Sequence, residues 1–501
     1  MNSREYFILG ILAVLVLAGY MVSLYTTASN AAYWWDEAEY GVLSRGISQS
    51  GDFTFFGERS YRPPFIPLYL AVFRGILGEY ANSVFTPFFS ALSVLFVFLI
   101  ARKLFDWKAG AIAALLMIFS SLYIFYSGRL LTEIPGILFS ALSAYFLFQS
   151  FETGRKRDFL LTAIFSATAF LIFFRFMTML VAMVAFVLLF RFGKLLKEVK
   201  MVGIAIAAFI ALLLPLFYYS QVKFGDFLGV FTVSYFGQQA EPLEWFIYGS
   251  GQWMITHIFS NFYVVMLLLL AIIYAVMYGK RELKYLAAMN LLIFIVASVL
   301  LNHKEDRYLM PMFPIAFITI GAFASDLVTS AYSKVRSLNI EGSKMEASAF
   351  QILLACLVIL MIYFATFSNV AAAFSLFDGK KASFGDVKEA ALYVRDNAMP
   401  NDEVITDSVT AMFYTNRVSH GFDSNNITRF TDDLRKYKPA YLIATLYESR
   451  ENYANALNNY KNVQTPSNSM EYMLLNEDKF QILKVYPSEQ QPYVMVLKIN
   501  Q

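Results

Sequence analysis

The sequence predicts a multi-pass α-helical membrane protein, with about 11–13 transmembrane helices, that ends in a small α/β domain. Three observations carry this. Hydrophobic residues make up 58% of the 501 positions and charged residues only 15%, against about 25% in soluble chains. Apolar runs long enough to span recur along the first three quarters of the chain. After Phe377 the composition turns polar, with 30 charged side chains in 378–501.

Eleven apolar runs read as spans, at 7–28, 83–101, 109–127, 134–151, 158–174, 176–190, 201–220, 253–278, 285–301, 308–330 and 349–376. The segment 63–78 is apolar too, but short. It opens with Pro63-Pro64 and contains Arg74, so it reads as a re-entrant or interfacial helix. Charge supports that choice. One set of connections (1–6, 102–108, 153–157, 191–200, 279–284 and 331–348) holds 17 Lys/Arg in 52 residues. The other set (29–82, 128–133, residue 175, 221–252 and 302–307) holds 9 in 99. The positive-inside rule then makes the N-terminus cytoplasmic and turns the long 29–82 and 221–252 loops outward. Read as a signal peptide, the first run would end at TASNA. Its uncharged stretch from Tyr6 to Tyr25 is long for that and favours a span.

Two domains follow: a membrane domain at 1–376, with interfacial helices in its first outer loop 29–82, and an extracytoplasmic α/β domain at 377–501. In the second, 386–397 and 427–438 have helical spacing. The stretches 403–408, 440–447, 480–487 and 493–500 read as strands. Asn426-Ile427-Thr428 is a glycosylation sequon.

Several functions are excluded. A net charge of +3 gives no nucleic-acid footprint, and Cys356 is the only cysteine, so neither an intramolecular disulfide nor a cysteine metal cluster can form. Three histidines, His257, His303 and His420, argue against a multi-histidine metal site. A Gly-rich phosphate loop is absent, so transport driven by the chain's own ATPase is unsupported.

Ionisable residues concentrate in three outward segments. The first, 33–64, carries Trp34-Trp35 and then Asp36-Glu37. Tyr40, Leu43 and Ile47 follow at helical spacing, so Asp36 opens an amphipathic interfacial helix. A purely structural reading makes Asp36 an N-cap with Glu39 three residues on. The second, Arg129–Pro135, places Glu133 at the mouth of a span, where it would also suit a helix N-terminus. The third, Asn302–Pro311, holds five ionisable residues; as a bland alternative it is a solvated hairpin. Arg175 is an isolated outward charge. A carboxylate near several cations at the membrane edge suits group transfer from a lipid-linked phosphate: guanidinium groups bind phosphate and a carboxylate can deprotonate a hydroxyl.

The first loop resembles that of the GT-C superfamily of membrane glycosyltransferases, in the branch containing protein O-mannosyltransferases and lipid A aminoarabinose transferases. Asp36-Glu37, Tyr40, Arg45, Gly51-Asp52-Phe53, Gly57, Tyr61 and Pro63-Pro64 follow that branch in order and spacing. Glu133-Ile134-Pro135 is similar to its second acidic motif, and His303–Pro311 to a later His-x-x-x-Arg-Tyr-x-x-Pro segment. The resemblance implies a GT-C-like fold and inverting transfer of a sugar from a polyprenyl- or dolichyl-phosphate donor. The acceptor would be a hydroxyl on a protein, lipid or glycan. Asp36 would be the general base. Glu37, Glu133, His303 and Glu305 would orient acceptor or cations. Arg62, Arg175, Lys304 and Arg307 would hold the donor phosphate, those cation roles resting on topology and charge. Phosphate is already a good leaving group, so no cofactor is required; some relatives bind a divalent metal, and the sequence neither requires nor excludes one, so none is predicted. The competing reading is a lipid-linked sugar transporter or flippase. It would place ionisable residues at mid-membrane, where this chain has almost none. The absence of long loops and of an ER retention signal fits a prokaryotic plasma membrane.

Overall fold

The computed structural model describes residues 3–51, 53–55, 58–60, 62–230, 261–300, 306–336, 343–422, 426–445, 469–488 and 491–500. They divide into two compact units. One comprises Met1–Ala28, Tyr61–Ile66 and Tyr80–Phe377; the other comprises Ser29–Ser60, Pro67–Glu79 and Asp378–Gln501.

The first unit is helical. Its elements are α1 (Ser3–Ala28), α4 (Ala81–Leu104), α5 (Trp107–Ile118), α6 (Ser121–Ser127), α7 (Glu133–Thr153), α8 (Lys156–Ile172), α9 (Met177–Phe190), α10 (Phe192–Lys197), α11 (Val199–Phe224), α12 (Phe262–Tyr278), α13 (Arg281–Leu300), α14 (Phe313–Arg336) and most of α15 (Ser343–Lys380). Every one of the eleven apolar runs carries a helix. Among the described residues six helical stretches are long and apolar enough to cross a membrane, and α5 with α6, bent by 66° at their break, make a seventh. The chain is an integral membrane protein. Between α1 and α4 lies α3 (Phe65–Leu77), of 13 residues. It rises about 20 Å, short of the roughly 30 Å hydrocarbon layer. The stretch Phe65–Leu104 therefore qualifies only once.

Lipid offers helices no hydrophobic gain on association, so close approach and buried hydrogen bonds carry the packing. On α1 the buried residues Leu12, Leu15, Gly19, Ser23 and Thr26 form one stripe, while Val14, Leu17 and Met21 stay exposed. A Cβ on Gly19 would come within 2.7 Å of Val94 on α4. Beside it, the Ser90 hydroxyl donates to the Gly19 carbonyl. Between α13 and α14, Asn290 donates to Thr319 at 2.9 Å. Asp106 caps α5 through the amide of Ala109 and also accepts from Ser325 of α14. The contacts of Gly19 with Val94 and Ser90 pack α1 against α4.

At the end of α7, Glu152 gathers three cations. Arg191 and Arg281 donate hydrogen bonds to it, the latter at 2.9 Å, and Lys194 stands 3.6 Å away. With Lys103, Gln149, Glu282 and Tyr285, Glu152 and Arg191 line a cavity of about 220 Å³.

The second unit contains α2 (Trp35–Ser50), a two-residue ribbon of β1 (Thr54–Phe55) and β2 (Glu58–Arg59), most of α3, and the C-terminal sheet. That sheet is mixed, in the order β4 (Ser419–Gly421), β3 (Val404–Thr406), β5 (Tyr441–Thr445), β7 (Gln491–Ile499), β6 (Phe480–Ser488). β3 pairs in parallel with β4 and β5; β7 runs antiparallel to β5 and β6. Strand residues alternate between two cores. Ile405, Leu442, Ala444, Met495 and Leu497 face one, with Phe430 of α18 (Ile427–Tyr437) and Met470 and Met473 of α19 (Ser469–Leu475). Val404, Tyr441, Ile443, Val494 and Val496 face the other, under α16 (Gly385–Asn397). Covering both faces buries the central strands β3 and β5 completely, and each large side chain so buried contributes roughly 1.5–3 kcal/mol. The short helix α17 (Val409–Thr415) follows β3, and Ser408 caps it.

Candidate active site

Asp36 lies in the first turn of α2. The helix begins at Trp35 with Trp34 as N-cap, and the Trp34 amide donates to Glu37 Oε2 at 2.8 Å. Glu37 is fully buried. The reading of Asp36 as N-cap, with Glu39 closing the box, is thus corrected. The helix starts two residues earlier than that reading has it and Glu37 does the capping, which leaves the half-buried Asp36 outside that device. Its position in the first turn still places a carboxylate where the helix dipole favours negative charge.

The chain around α2 is tied to α16 and α17. The Ala31 amide donates to the Lys381 carbonyl at 2.8 Å and Lys388 Nζ donates to the Ala31 carbonyl at 2.7 Å. The Tyr33 amide donates to Tyr414 Oη at 3.0 Å, and Thr410 Oγ1 donates to the Tyr33 carbonyl at 3.1 Å. Arg45 donates to the Phe413 carbonyl at 3.1 Å and lies 4.9 Å over its ring. Glu79 stands 3.7 Å from Arg45 and hydrogen-bonds Arg74 at 2.7 Å. Burial pulls the Arg45 guanidinium below its ordinary value, with Glu79 opposing and Arg74 adding to the shift.

In the helical unit, two cations singled out in the sequence lie by one aromatic ring, and one of them meets a singled-out carboxylate. Glu133 is the first residue of α7 and is 3% exposed. Arg307, in the 3₁₀ turn Asp306–Met312, places Nε 3.8 Å from Glu133 Oε1. Its guanidinium is 5.6 Å from the ring centre of Tyr308, and that of Arg175 is 3.7 Å from the same centre. Arg175 sits in the 3₁₀ turn Phe174–Phe176 between α8 and α9. Phe173 meets Tyr308 at 6.2 Å. Arg129, four residues ahead of Glu133, is 1% exposed and lies 5.4 Å from the Phe125 ring. A guanidinium this close to a ring face is held there by the ring's quadrupole.

Arg62 belongs to the same unit, half-buried three residues before Phe65, whose ring meets Phe139 of α7 at 5.6 Å. His303, Lys304 and Glu305 lie outside the described residues, as do Asp52, Gly57 and Tyr61 of the first-loop motif. In the sequence Tyr308 is only one letter of a motif, and its sole signal is its place directly after Arg307. Among the described residues no group of three His, Cys, Asp or Glu side chains could hold a metal ion.

The comparisons agree on the fold. Residues 61–219, under half of the chain, match the family model of dolichyl-phosphate-mannose-protein mannosyltransferases. That stretch contains Arg62, Glu133 and Arg175 and begins after Asp36. No curated protein sequence matches the chain. Among solved structures, ArnT from Cupriavidus metallidurans bound to undecaprenyl phosphate superposes with a TM-score of 0.66 at 12% identity, over 99% of this chain and 98% of that one. The archaeal oligosaccharyltransferase AglB from Archaeoglobus fulgidus, in complex with an inhibitory peptide and a dolichol-phosphate, gives 0.55 at 14% identity, over 91% and 71%. The chain thus has the GT-C membrane fold with a small C-terminal sheet domain. Its resemblance to the branch of O-mannosyltransferases and aminoarabinose transferases holds.

Proposed function

We propose that the protein is an inverting membrane glycosyltransferase that moves a sugar from a polyprenyl- or dolichyl-phosphate carrier to an acceptor hydroxyl. One observation supports this most: Arg175 and Arg307 lie by Tyr308, with Glu133 beside Arg307, in a fold shared over almost its whole length with a protein solved with undecaprenyl phosphate. Arg175 and Arg307, joined by Arg62 and Lys304, bind the carrier phosphate. Glu133 holds Arg307, and Glu37 holds the start of α2; His303 and Glu305 orient the acceptor. Asp36 takes the hydroxyl proton. The hydroxyl oxygen then bonds to the anomeric carbon as the bond from that carbon to the phosphate oxygen breaks, and phosphate leaves with the electron pair. Guanidinium groups already in place stabilise that departing charge, by about 3 kcal/mol for one good donor. The chemistry needs no metal. It takes place outside a prokaryotic plasma membrane, with the N-terminus cytoplasmic, a membrane domain at 1–376 and an extracytoplasmic domain at 377–501.

The test is sugar transfer from a panel of radiolabelled polyprenyl-phosphate sugars by wild type and Asp36→Asn. Asparagine keeps the shape and removes the base, so the rate should fall about 10²–10⁴-fold. Undiminished transfer in the mutant would move the base elsewhere. Carrier movement across vesicles with no transfer would replace the enzyme by a flippase.

A further inference from the structure

We infer that α17 of the C-terminal part is a positioning element for the catalytic helix, and that Phe413 against Gly41 sets where Asp36 stands. The inference rests on the reading of Asp36 as base. Its own support is geometric. Ala38, Val409 and Phe413 form one buried cluster, flanked by Tyr33, Trp35, Val42 and Tyr414. At Gly41 the helix comes so close that a Cβ would sit 2.5 Å from the Phe413 ring. One turn further, Arg45 lies over the same ring and bonds its carbonyl. Ala38, Gly41 and Arg45 thus share the face turned to α17.

At about 100° per residue, Asp36 lies roughly 140–200° round the helix from those three. Phe413 therefore acts on Asp36 through the placement of α2. The approach to the helix is fixed from the same side: the Tyr33 amide and carbonyl bond Tyr414 and Thr410, and the Tyr33 ring meets Phe413 edge-on at 5.3 Å. The backbone just ahead of Asp36 and the helix face behind it are both held by residues 409–414. Glycine at 41 lets the two helices approach this closely.

The experiment uses the full chain and compares wild type, Gly41→Ala, Phe413→Leu and the double variant. A methyl at 41 should displace α2 and lower kcat about 10²-fold, the scale of a 1 Å misplacement, with donor KM within about twofold. Phe413→Leu gives a smaller, flexible neighbour. The double variant should regain at least about tenfold over Gly41→Ala, a rescue that general destabilisation would not produce. Hydrogen exchange supplies a readout independent of activity: amides 33–45 and 409–415 should exchange faster together in Gly41→Ala and slow again in the double variant. Wild-type kcat and exchange in Gly41→Ala would overturn the inference, and so would loss without rescue. Should Gly41→Ala not fold, Phe413→Ala, which removes the ring without a clash, should show the same two effects. If no variant and no wild type transfers sugar, the proposed function has failed. Linked exchange would then still establish that α17 holds α2, and unlinked exchange would refute it.

Discussion

The two ends of α7 carry the same residue types arranged differently. Nineteen residues separate Glu133 from Glu152, about 28 Å along the helix. At the Glu152 end the cations are bonded to the acid, Arg191 and Arg281 by hydrogen bonds and Lys194 at 3.6 Å, and Arg281 also reaches Glu282. At the Glu133 end Arg175 lies on Tyr308 and Arg129 beside Phe125, while Arg307 approaches the acid at 3.8 Å. A cation bonded to a carboxylate fastens helices. A cation over an aromatic face is also held by the ring's quadrupole. Charge count alone would not separate these two clusters; the kind of contact does.

That contrast breaks first at Arg307. Arg307→Gln should lower sugar transfer by about 10²–10³-fold, the cost of one lost donor to a departing oxyanion. Full activity in that variant would make the Glu133 end another fastening. At the other end, Arg191→Gln should destabilise by about 1–3 kcal/mol, since it removes a buried hydrogen-bonding partner from Glu152, with transfer per folded molecule unchanged. Thermal denaturation in detergent, with activity assayed on the surviving fraction, separates the two effects. A loss of activity at constant stability would put Arg191 in the reaction instead.

A third variant, away from both ends, calibrates charge effects in the sheet unit. Burial raises the Asp386 carboxyl above its ordinary value, and Glu389 adds to this. The group's contribution to stability is therefore fully present below the ordinary aspartate pKa. It is lost as pH rises through the higher folded value. Asp386→Asn should raise the denaturation midpoint at pH 7 slightly, by under about 2 °C, and flatten its fall between acid and neutral pH. An unchanged pH profile would show that Asp386 feels no such burial.

Much of this was legible in the sequence, because lipid and sheet both impose a period. The eleven apolar runs carry helices, and 386–397, 427–438 and the four strand-like stretches stand close to the elements observed. Glu133, Arg175 and Arg307 stand out in the sequence as charges at the ends of apolar runs; that Arg307 meets Glu133 and that both arginines lie by Tyr308 is seen only in the structure. What stayed hidden depends on contacts between distant residues. The helix 409–415 is too short to show a 3.6-residue period, and β4 has only three residues. The reach of 33–45 to 409–414 leaves no local signature except Gly41, whose purpose appears only with Phe413 beside it. The capping role of Glu37 was misassigned because a box with Asp36 and Glu39 has the same spacing as one with Trp34 and Glu37; the choice lies in where the helix begins.

The sheet unit is assembled from the start of the chain and its end, with Tyr33 and Thr410 bonded across 377 residues. On a ribosome adding about 5–20 residues per second, Tyr33 waits roughly 20–75 s for its partner. During that time the α2 segment, though already translated, lacks the surface against which it packs. On the function proposed above, a nascent or prematurely terminated chain would then be inserted yet silent, and transfer would begin only once translation is nearly complete.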